Sequence, residues 1–212
     1  MVVSSQQVAT VELAKCGCGV IASASRTDRL KVLCVEINNS NVDENKSEAI
    51  NRRVLAVVVE LDVDANGPTI DASVRKAWEA FGRIDVLINN ARIIVTSQNS
   101  LDWSEKDWDK AFSTNLKGAW LVSKHVCLQM YAFKQAGSIV NISSVFDLQH
   151  TYSSSKSALN TMTKSEIKIK RCVHVCLCTK WFLRSWCRHE VVVIYMVTCS
   201  KSSIRRSKYQ SR

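Results

Sequence analysis

Glycine and proline are scarce in this chain of 212 residues, which contains six glycines and one proline, Pro68. Tight turns between strands and helices, and loops that bind phosphate through backbone N–H groups, usually need more glycine than this. The composition therefore argues against a complete set of such loops. The length nevertheless suits one domain with a sizeable hydrophobic core.

Long apolar runs and a secretory signal are also missing. The longest continuous apolar run, Val191 to Val197, is far shorter than the ~20 residues that a membrane helix needs. The amino end lacks the charged, apolar and small-residue segments of a signal peptide. The nine cysteines are an odd number, so a reducing setting is the default. We therefore expect a soluble cytoplasmic protein with no membrane partner.

Positive charge is unevenly distributed. Residues 1–165 carry 18 Lys plus Arg against 17 Asp plus Glu, whereas residues 166–212 carry 11 against 2, which together give the net charge of +10. This change predicts a body, 1–165, and a basic, cysteine-rich tail, 166–212. Because the body is near neutral, we expect no nucleic-acid partner.

Apolar strands alternate with helical segments along the body. The pattern predicts four strands, at Val20–Ala24, Val54–Val63, Ile84–Asn90 and Ser138–Ser143. It predicts helices over Val3–Lys15, Thr27–Ile37, Thr69–Phe81 and Ser104–Gln129, with another from Tyr152. Continuous Val, Ile and Leu strands separated by helices indicate a parallel sheet covered on both faces. We predict an α/β fold with a Rossmann-like, doubly wound parallel sheet.

The segment Tyr152-Ser-Ser-Ser-Lys156 follows the last of these strands and its terminal Ser144. In a helix, residues four apart lie on the same face. An ammonium beside a phenol favours the phenolate, so Tyr152 could exchange a proton with a substrate oxygen that Ser144 holds. The alternative is a solvated Tyr–Lys pair on a surface helix.

Four motifs in order resemble the short-chain dehydrogenase/reductase family, and its plant members in particular. They are Leu61-Asp62-Val63, the strand end Asn89-Asn90-Ala91, Asn115 within a long helix, and Ser144 followed by Tyr-x-x-x-Lys. The resemblance covers Val8 to Lys164. It implies an oxidoreductase that moves hydride between a nicotinamide cofactor and a carbonyl or secondary alcohol.

The resemblance also implies roles for single residues. Asn115, Ser144, Tyr152 and Lys156 match the family's catalytic tetrad: Tyr152 as acid or base, Ser144 orienting the substrate oxygen, Lys156 lowering the tyrosine pKa and holding the nicotinamide ribose. Asn115 would support a relay water near Lys156. As alternatives, Asn115 would be an ordinary helix residue and Ser144 an ordinary turn residue.

Cofactor contacts follow from the same resemblance. Asp62 matches the position that contacts adenine, or else caps the next loop, and Asn89 and Asn90 match positions that shape the cofactor site. Lys156 and Tyr152 would contact the nicotinamide ribose. After the strand at Val20, Arg26 stands where an acid would bind a ribose hydroxyl. An arginine suits a 2′-phosphate, so NADP is expected rather than NAD.

Several positions depart from the family pattern. Ser4 and Gln6 replace the last glycines of its phosphate loop, and Arg92 replaces the glycine after Asn-Asn-Ala. The central first strand and the part after Lys164 are not recognisable, so we expect an incomplete sheet, truncated at both ends. Activity is then expected to be impaired. The alternative function is a catalytically inactive relative that acts through protein association.

The tail offers two weaker hypotheses. Cys172, Cys176, Cys178 and Cys187, with His174 and His189, are potential zinc ligands, but their spacing does not match a zinc finger, so no metal is predicted. Its basic end suits phosphate contacts, although a solvated end is the simpler interpretation. The tail shows no helical or strand period.

From the family resemblance, the expected partners are a small carbonyl or alcohol substrate and a second copy of the chain.

Overall fold

The computed structural model describes residues 13–14, 18–25, 27–40, 56–94, 104–144, 150–166, 173–179 and 194–198. The strands in this part are β1 (Gly19–Ala24), β2 (Ala56–Glu60), β3 (Val86–Asn89), β4 (Gly137–Ser143), β5 (Val173–Thr179) and β6 (Ile194–Thr198). The helices are α1 (Asp28–Ser40), α2 (Gly67–Phe81), α3 (Glu105–Phe112), α4 (Ala119–Ala132) and α5 (His150–Glu166). One turn of π-helix, Ser113–Gly118, joins α3 to α4. The α/β fold expected from the sequence is confirmed.

Helix boundaries follow from local sequence. Asn66 caps α2 by accepting the backbone N–H of Thr69 at 3.0 Å, and Pro68 lies in the first turn, where its missing N–H costs nothing. Gly82 ends the helix with φ of 68°, a left-handed conformation that glycine adopts without strain. In the same way, the Ser104 hydroxyl accepts the backbone N–H of Asp107 and starts α3.

The sheet has six strands in the order β2-β1-β6-β3-β4-β5. Strands β1 with β2, and β3 with β4 and β5, pair in parallel. In doubly wound sheets the first strand of the chain lies at the centre. Here β6 takes that place and runs antiparallel to both β1 and β3.

The tail therefore differs from the expectation that it lacks strands and leaves the centre of the sheet incomplete. Strand β5 extends the sheet beyond β4, while β6 pairs along its whole length with β1 and from Ile194 to Val197 with β3. A tail strand thus satisfies backbone groups that would otherwise form two unpaired edges within the sheet. The remainder of the tail lies outside the described residues, as does most of the helix expected at Val3–Lys15.

Both faces of the sheet are buried against helices. Side chains alternate along a strand, so Ile21 and Leu87 point to one face and Val20 and Ala22 to the other. The first face packs on α2 and α4, and the second on α1. Burying each large aliphatic side chain contributes about 1.5–3 kcal/mol. The two apolar clusters fix the carboxyl ends of the parallel strands at one edge, called the carboxyl edge below.

Gly118 is the last residue of the π-helical turn, and because it has no side chain this turn can lie close to the carboxyl edge. A Cβ at Gly118 would lie 2.7 Å from the Val63 carbonyl oxygen, which is backbone and cannot rotate away. We expect Gly118→Ala to lower the free energy of unfolding by about 1–3 kcal/mol, as for other overpacked sites. Gly67→Ala is the matched control, since its nearest neighbour would lie at 3.8 Å. Thermal unfolding of both variants checks this, and equal Tm values would contradict it.

Candidate active site

Helix α5 carries Tyr152 and Lys156 on one face at the carboxyl edge. Both are buried: Tyr152 is 8% exposed and Lys156 2%. The Lys156 ammonium donates a hydrogen bond to the Ile142 carbonyl oxygen at 2.9 Å, which ties the helix to the end of β4. A solvated surface pair, the alternative interpretation of this spacing, does not describe these two residues.

The buried ammonium is electrostatically destabilised. Burial lowers the pKa of Lys156 from 10.5 to about 7, with a smaller contribution from the positive charge of Arg92. Arg92 is itself buried, at 8% exposed. Lys156 therefore gains or loses a proton near neutral pH. The positive charge at this place favours a ligand that is an anion or a hydrogen-bond acceptor.

A pH dependence of stability follows. An unfolded lysine keeps its proton up to about 10.5, whereas folded Lys156 releases it near 7. The unfolded state therefore binds more protons above pH 7, and stability rises with pH. Burial also raises the pKa of the Cys34 thiol from 9.0 to about 11, so above pH 9 the contribution of Cys34 falls with pH and offsets the further gain from Lys156. Between pH 7 and 9 the contribution of Lys156 to stability is therefore not offset by Cys34.

We expect wild-type protein to gain roughly 2 kcal/mol from Lys156 between pH 7 and 9. Lys156→Met removes the ionisable group while keeping an unbranched apolar side chain, so this gain should disappear. Lys164→Met, on the exposed part of the same helix, should keep it. Urea unfolding at pH 7, 8 and 9 measures the difference, and a flat wild-type profile would refute the assignment.

Asn115 lies in the π-helical turn, a rare element that often marks functional sites. Its Oδ1 accepts the backbone N–H of Ile93 at 2.9 Å, and its Nδ2 donates to the Ile93 carbonyl oxygen at 3.1 Å. The second N–H of the amide donates to the Ser155 hydroxyl at 3.0 Å. Both amide hydrogens are engaged, so this side chain joins the segment after β3 to α5.

Ser155 completes this connection, and the sequence motif gave it no role. Its buried hydroxyl donates to the Tyr152 carbonyl oxygen at 2.7 Å while it accepts from Asn115. The Ser143 hydroxyl, at the end of β4, lies 3.4 Å from the Lys156 carbonyl oxygen. These contacts position Asn115, Tyr152 and Lys156 together. The sequence could have indicated this role for Ser155, because Ser155 lies between Tyr152 and Lys156, which are one helical turn apart.

Asn89 is buried in the sheet. Its Nδ2 donates to Asn141 Oδ1 and to the Ser123 hydroxyl, both at 2.8 Å. Asn141 Nδ2 continues the network to the Thr163 hydroxyl at 2.9 Å. Asn89 Oδ1 has no hydrogen-bond partner among the described residues. The network links β3 and β4 to α4 and α5, so Asn89 holds together the strands and helices that carry the site residues.

The remaining sequence candidates occupy different positions. Asp62 is exposed after β2, and its Oδ1 accepts the Asp64 backbone N–H at 3.1 Å, as expected of a residue that caps a loop. Asn90 is half-buried at the end of β3, and Ser144 directly follows β4. Arg26 lies outside the described residues. The carboxyl edge thus brings Asn90, Asn115, Ser144, Tyr152 and Lys156 to one region.

Neither a membrane-spanning helix nor a metal-binding cluster is found in the part of the chain that the structure describes. None of the helices in this part is long and apolar enough to cross a membrane. No group of three or more His, Cys, Asp or Glu side chains there could hold a metal ion. The tail cysteines proposed as potential zinc ligands have no described side chains.

Comparison with known proteins gives a family match over most of the chain. The model of the short chain dehydrogenase family matches residues 8–170. The chain is 27% identical over 212 residues to 2-dehydro-3-deoxy-D-gluconate 5-dehydrogenase of Dickeya dadantii, covering 95% of this chain and 71% of that enzyme. It is 28% identical over 174 residues to the Escherichia coli enzyme of the same name, covering 77% of this chain and 60% of that enzyme.

Solved structures share the fold. A metagenomic short-chain oxidoreductase in complex with NADP has 26% identity and a TM-score of 0.61, over 74% of this chain and 68% of that chain. A short-chain dehydrogenase/reductase from Burkholderia phymatum in complex with NAD has 22% identity and a TM-score of 0.62, over 74% and 54%. The Rossmann-like architecture is therefore shared with proteins that bind either nucleotide.

Proposed function

The chain belongs to the short chain dehydrogenase family, and from this membership we propose that it is an NADP-dependent oxidoreductase. Its substrate would be a small carbonyl compound or secondary alcohol. The observation that carries the proposal is the burial of Tyr152 and Lys156 one helical turn apart at the carboxyl edge. Ligands bind at this edge in open α/β sheets.

In the proposed reaction Tyr152 gives its phenolic proton to the carbonyl oxygen during reduction and takes one during oxidation. A protonated Lys156 would stabilise the phenolate that Tyr152 leaves on giving up its proton, and so assist the transfer. Ser144, at the end of β4, would orient the substrate oxygen. Asn115 would act as a positioning residue, because its amide holds Ile93 and Ser155.

The donor set at the carboxyl edge fits the ribose half of a nicotinamide nucleotide. An ammonium has three donors, and the Ile142 carbonyl oxygen takes one from Lys156. Lys156 and Tyr152 would hold the nicotinamide ribose, Asn89 and Asn90 would shape its site, and the bound nicotinamide would supply or accept the hydride. Asp62 would lie near the adenine.

The choice of NADP has separate support. Arg26 suits a 2′-phosphate by its chemistry, and the metagenomic relative was solved with NADP. Because the Burkholderia phymatum structure holds NAD, affinities for both nucleotides should be compared directly. Arg26 and the positions that replace the phosphate-loop glycines, Ser4 and Gln6, lie outside the described residues.

Protein association is the second candidate function. Helix α4 exposes large apolar side chains on its outer surface: Trp120 is 42% exposed, Leu128 51% and Tyr131 68%. Aromatic residues such as Trp and Tyr are enriched at protein interfaces. A homo-oligomer formed through α4 would accommodate them, with or without catalysis.

Three other expectations from the sequence also stay predictions: the division into body and tail at 165, the cytoplasmic location and the likeness to plant members. The relatives compared above are bacterial.

The proposed activity is tested by following NADPH absorbance with a panel of aldehydes, ketones and oxo acids. We expect consumption that depends on both protein and carbonyl compound, with a lower rate for NADH. Sugar acids should be included, since the enzymes from Dickeya dadantii and Escherichia coli are named for one. No turnover in either direction, despite a cooperative fold, would favour the association hypothesis.

A further inference from the structure

The loop after β2, residues 61–65, lies at the carboxyl edge. Leu61 and Val63 are buried, at 1% and 2% exposed, whereas the Asp62 side chain between them is exposed. The Leu61 N–H donates to the carbonyl oxygen of Ala24, the last residue of β1, at 3.1 Å. The loop is therefore anchored to the sheet by its buried residues and presents the Asp62 carboxylate on its outer side.

Asp64 joins this loop to the π-helical turn. The Thr114 hydroxyl donates to Asp64 Oδ1 at 2.8 Å and lies 3.0 Å from Oδ2. The Lys110 ammonium, one turn earlier, donates to Asp64 Oδ2 at 2.6 Å. At the far end of the turn, Gly118 packs against the backbone of Val63. The loop is thus both bonded to the turn and packed against it.

The two partners of Asp64 differ in rigidity. Thr114 is 0% exposed, and its β-branched side chain has few rotamers, so its hydroxyl is fixed in place. The Lys110 side chain is long and 56% exposed, and an exposed ion pair contributes little to fixing a geometry. We therefore expect Thr114 to determine where the Asp64 carboxylate lies.

The backbone of Asp64 in turn orients Asp62. The Asp64 N–H donates to Asp62 Oδ1 at 3.1 Å, and the Ala65 N–H donates to the Asp62 carbonyl oxygen at 3.2 Å. None of the described residues donates to Asp62 Oδ2. One carboxylate oxygen is held while the other can accept a hydrogen bond from a ligand. A group that is fixed before binding loses little entropy when the ligand arrives.

The same π-helical turn holds the proposed catalytic residues. Asn115, the neighbour of Thr114, is bonded to the backbone of Ile93 and to the Ser155 hydroxyl. Two consecutive buried polar residues thus face different parts of the carboxyl edge. Asn115 contacts the segment after β3 and α5, and Thr114 contacts the loop that carries Asp62.

We propose that Thr114, acting through Asp64, is a positioning residue that holds the Asp62 carboxylate for the amino group of adenine. The proposal rests on the function proposed above, in which Asp62 lies near the adenine, and extends it to two residues without a role in that function. An amino group donates to a carboxylate oxygen. Hypoxanthine carries a carbonyl oxygen in place of this amino group and offers no donor there, so discrimination between the two bases should depend on Thr114.

The test is calorimetric titration of NADPH and of its hypoxanthine analogue, which differ only at that group. Wild-type protein should bind NADPH about 10-fold more tightly, the effect of one hydrogen bond to a charged acceptor. Thr114→Val keeps the shape and removes the hydroxyl. It should weaken NADPH binding by about 5–10-fold and binding of the analogue by less than about 2-fold.

Two further variants separate positioning from a general defect. Thr114→Ser restores the hydroxyl, so it should keep the wild-type preference for NADPH. Lys110→Met should change this preference less than Thr114→Val does, because the lysine is exposed. Thr161→Val is the matched control, since Thr161 is exposed and its hydroxyl donates only within α5, to the Ser157 carbonyl oxygen. It should leave both affinities unchanged.

Two results of the titrations would overturn the proposal. One is an equal loss of affinity for both nucleotides in Thr114→Val, which would indicate a structural defect without an effect on recognition of the base. The other is a wild-type protein that binds the two nucleotides equally.

Hydrogen exchange of the Asp64 amide keeps the test independent of nucleotide binding. This amide is bonded to Asp62 Oδ1, so it should exchange about 10-fold faster in Thr114→Val and at the wild-type rate in Thr114→Ser. If neither nucleotide binds wild-type protein, the proposed function fails while the exchange rate still decides whether Thr114 positions the loop. Equal exchange in wild type and Thr114→Val would overturn the proposal.

Discussion

Replacing Tyr152 with phenylalanine should lower kcat for carbonyl reduction by about 10²–10⁴-fold, the usual contribution of one acid–base group. The phenol is the group that gives its proton to the substrate oxygen, and phenylalanine keeps the ring without the hydroxyl. Tyr152 is buried, so its ring packing should survive. The Tm should therefore shift little compared with the loss of rate, and NADPH binding should remain measurable.

Tyr131→Phe is the matched control, because Tyr131 is 68% exposed near the end of α4, which leads to the start of β4 at the edge opposite the carboxyl edge. Steady-state rates of the two variants, measured at saturating NADPH, check the assignment. A Tyr152→Phe variant that keeps wild-type kcat would remove this tyrosine from the reaction. An equal loss in both variants would indicate a general effect of removing hydroxyl groups.

Replacing Met196 with proline should unfold the protein or destabilise it by on the order of 3 kcal/mol or more. Met196 is the middle residue of β6, and it pairs with Ile21 of β1 and Leu87 of β3. Proline has no N–H to donate, and it is confined to edge strands and bulges for that reason. The effect should be large because β6 lies at the centre of the sheet.

Asp28→Pro is the corresponding control. Asp28 is the first residue of α1, where proline removes no helical hydrogen bond and its fixed φ is suitable. Circular dichroism during urea unfolding should show a lower midpoint for Met196→Pro and a nearly unchanged one for Asp28→Pro. A cooperative Met196→Pro variant with a wild-type midpoint would show that β6 contributes nothing to the sheet.

The body of the fold was predictable because its signals are local. Short runs of Val, Ile and Leu define β1, β3 and β4, and Asn66, Pro68 and Gly82 mark the ends of α2. The sheet order at the centre was not predictable. Strand β6 joins β1 and β3 through pairing across most of the chain, and its short apolar sequence carries no information about its partners.

The candidate site was predictable in part. The spacing of Tyr152 and Lys156 placed them on one helix face, but their burial and the low pKa of Lys156 depend on residues far away in the sequence. The role expected of Asn115, support of a relay water near Lys156, stays a prediction, and its hydrogen bonds were not predicted. Its partners, Ile93 and Ser155, are 22 and 40 residues away, so only the folded chain reveals them.

The proposed function requires that the carboxyl edge around Lys156 binds NADP. Calorimetric titration of NADPH into wild-type protein, Lys156→Met and Lys164→Met measures this binding. We expect saturable binding to wild type and to Lys164→Met, with affinity at least about 10-fold lower in Lys156→Met because a charged donor to the ribose is lost. No binding to wild type, or equal binding to all three proteins, would show that Lys156 does not hold the nucleotide at this edge.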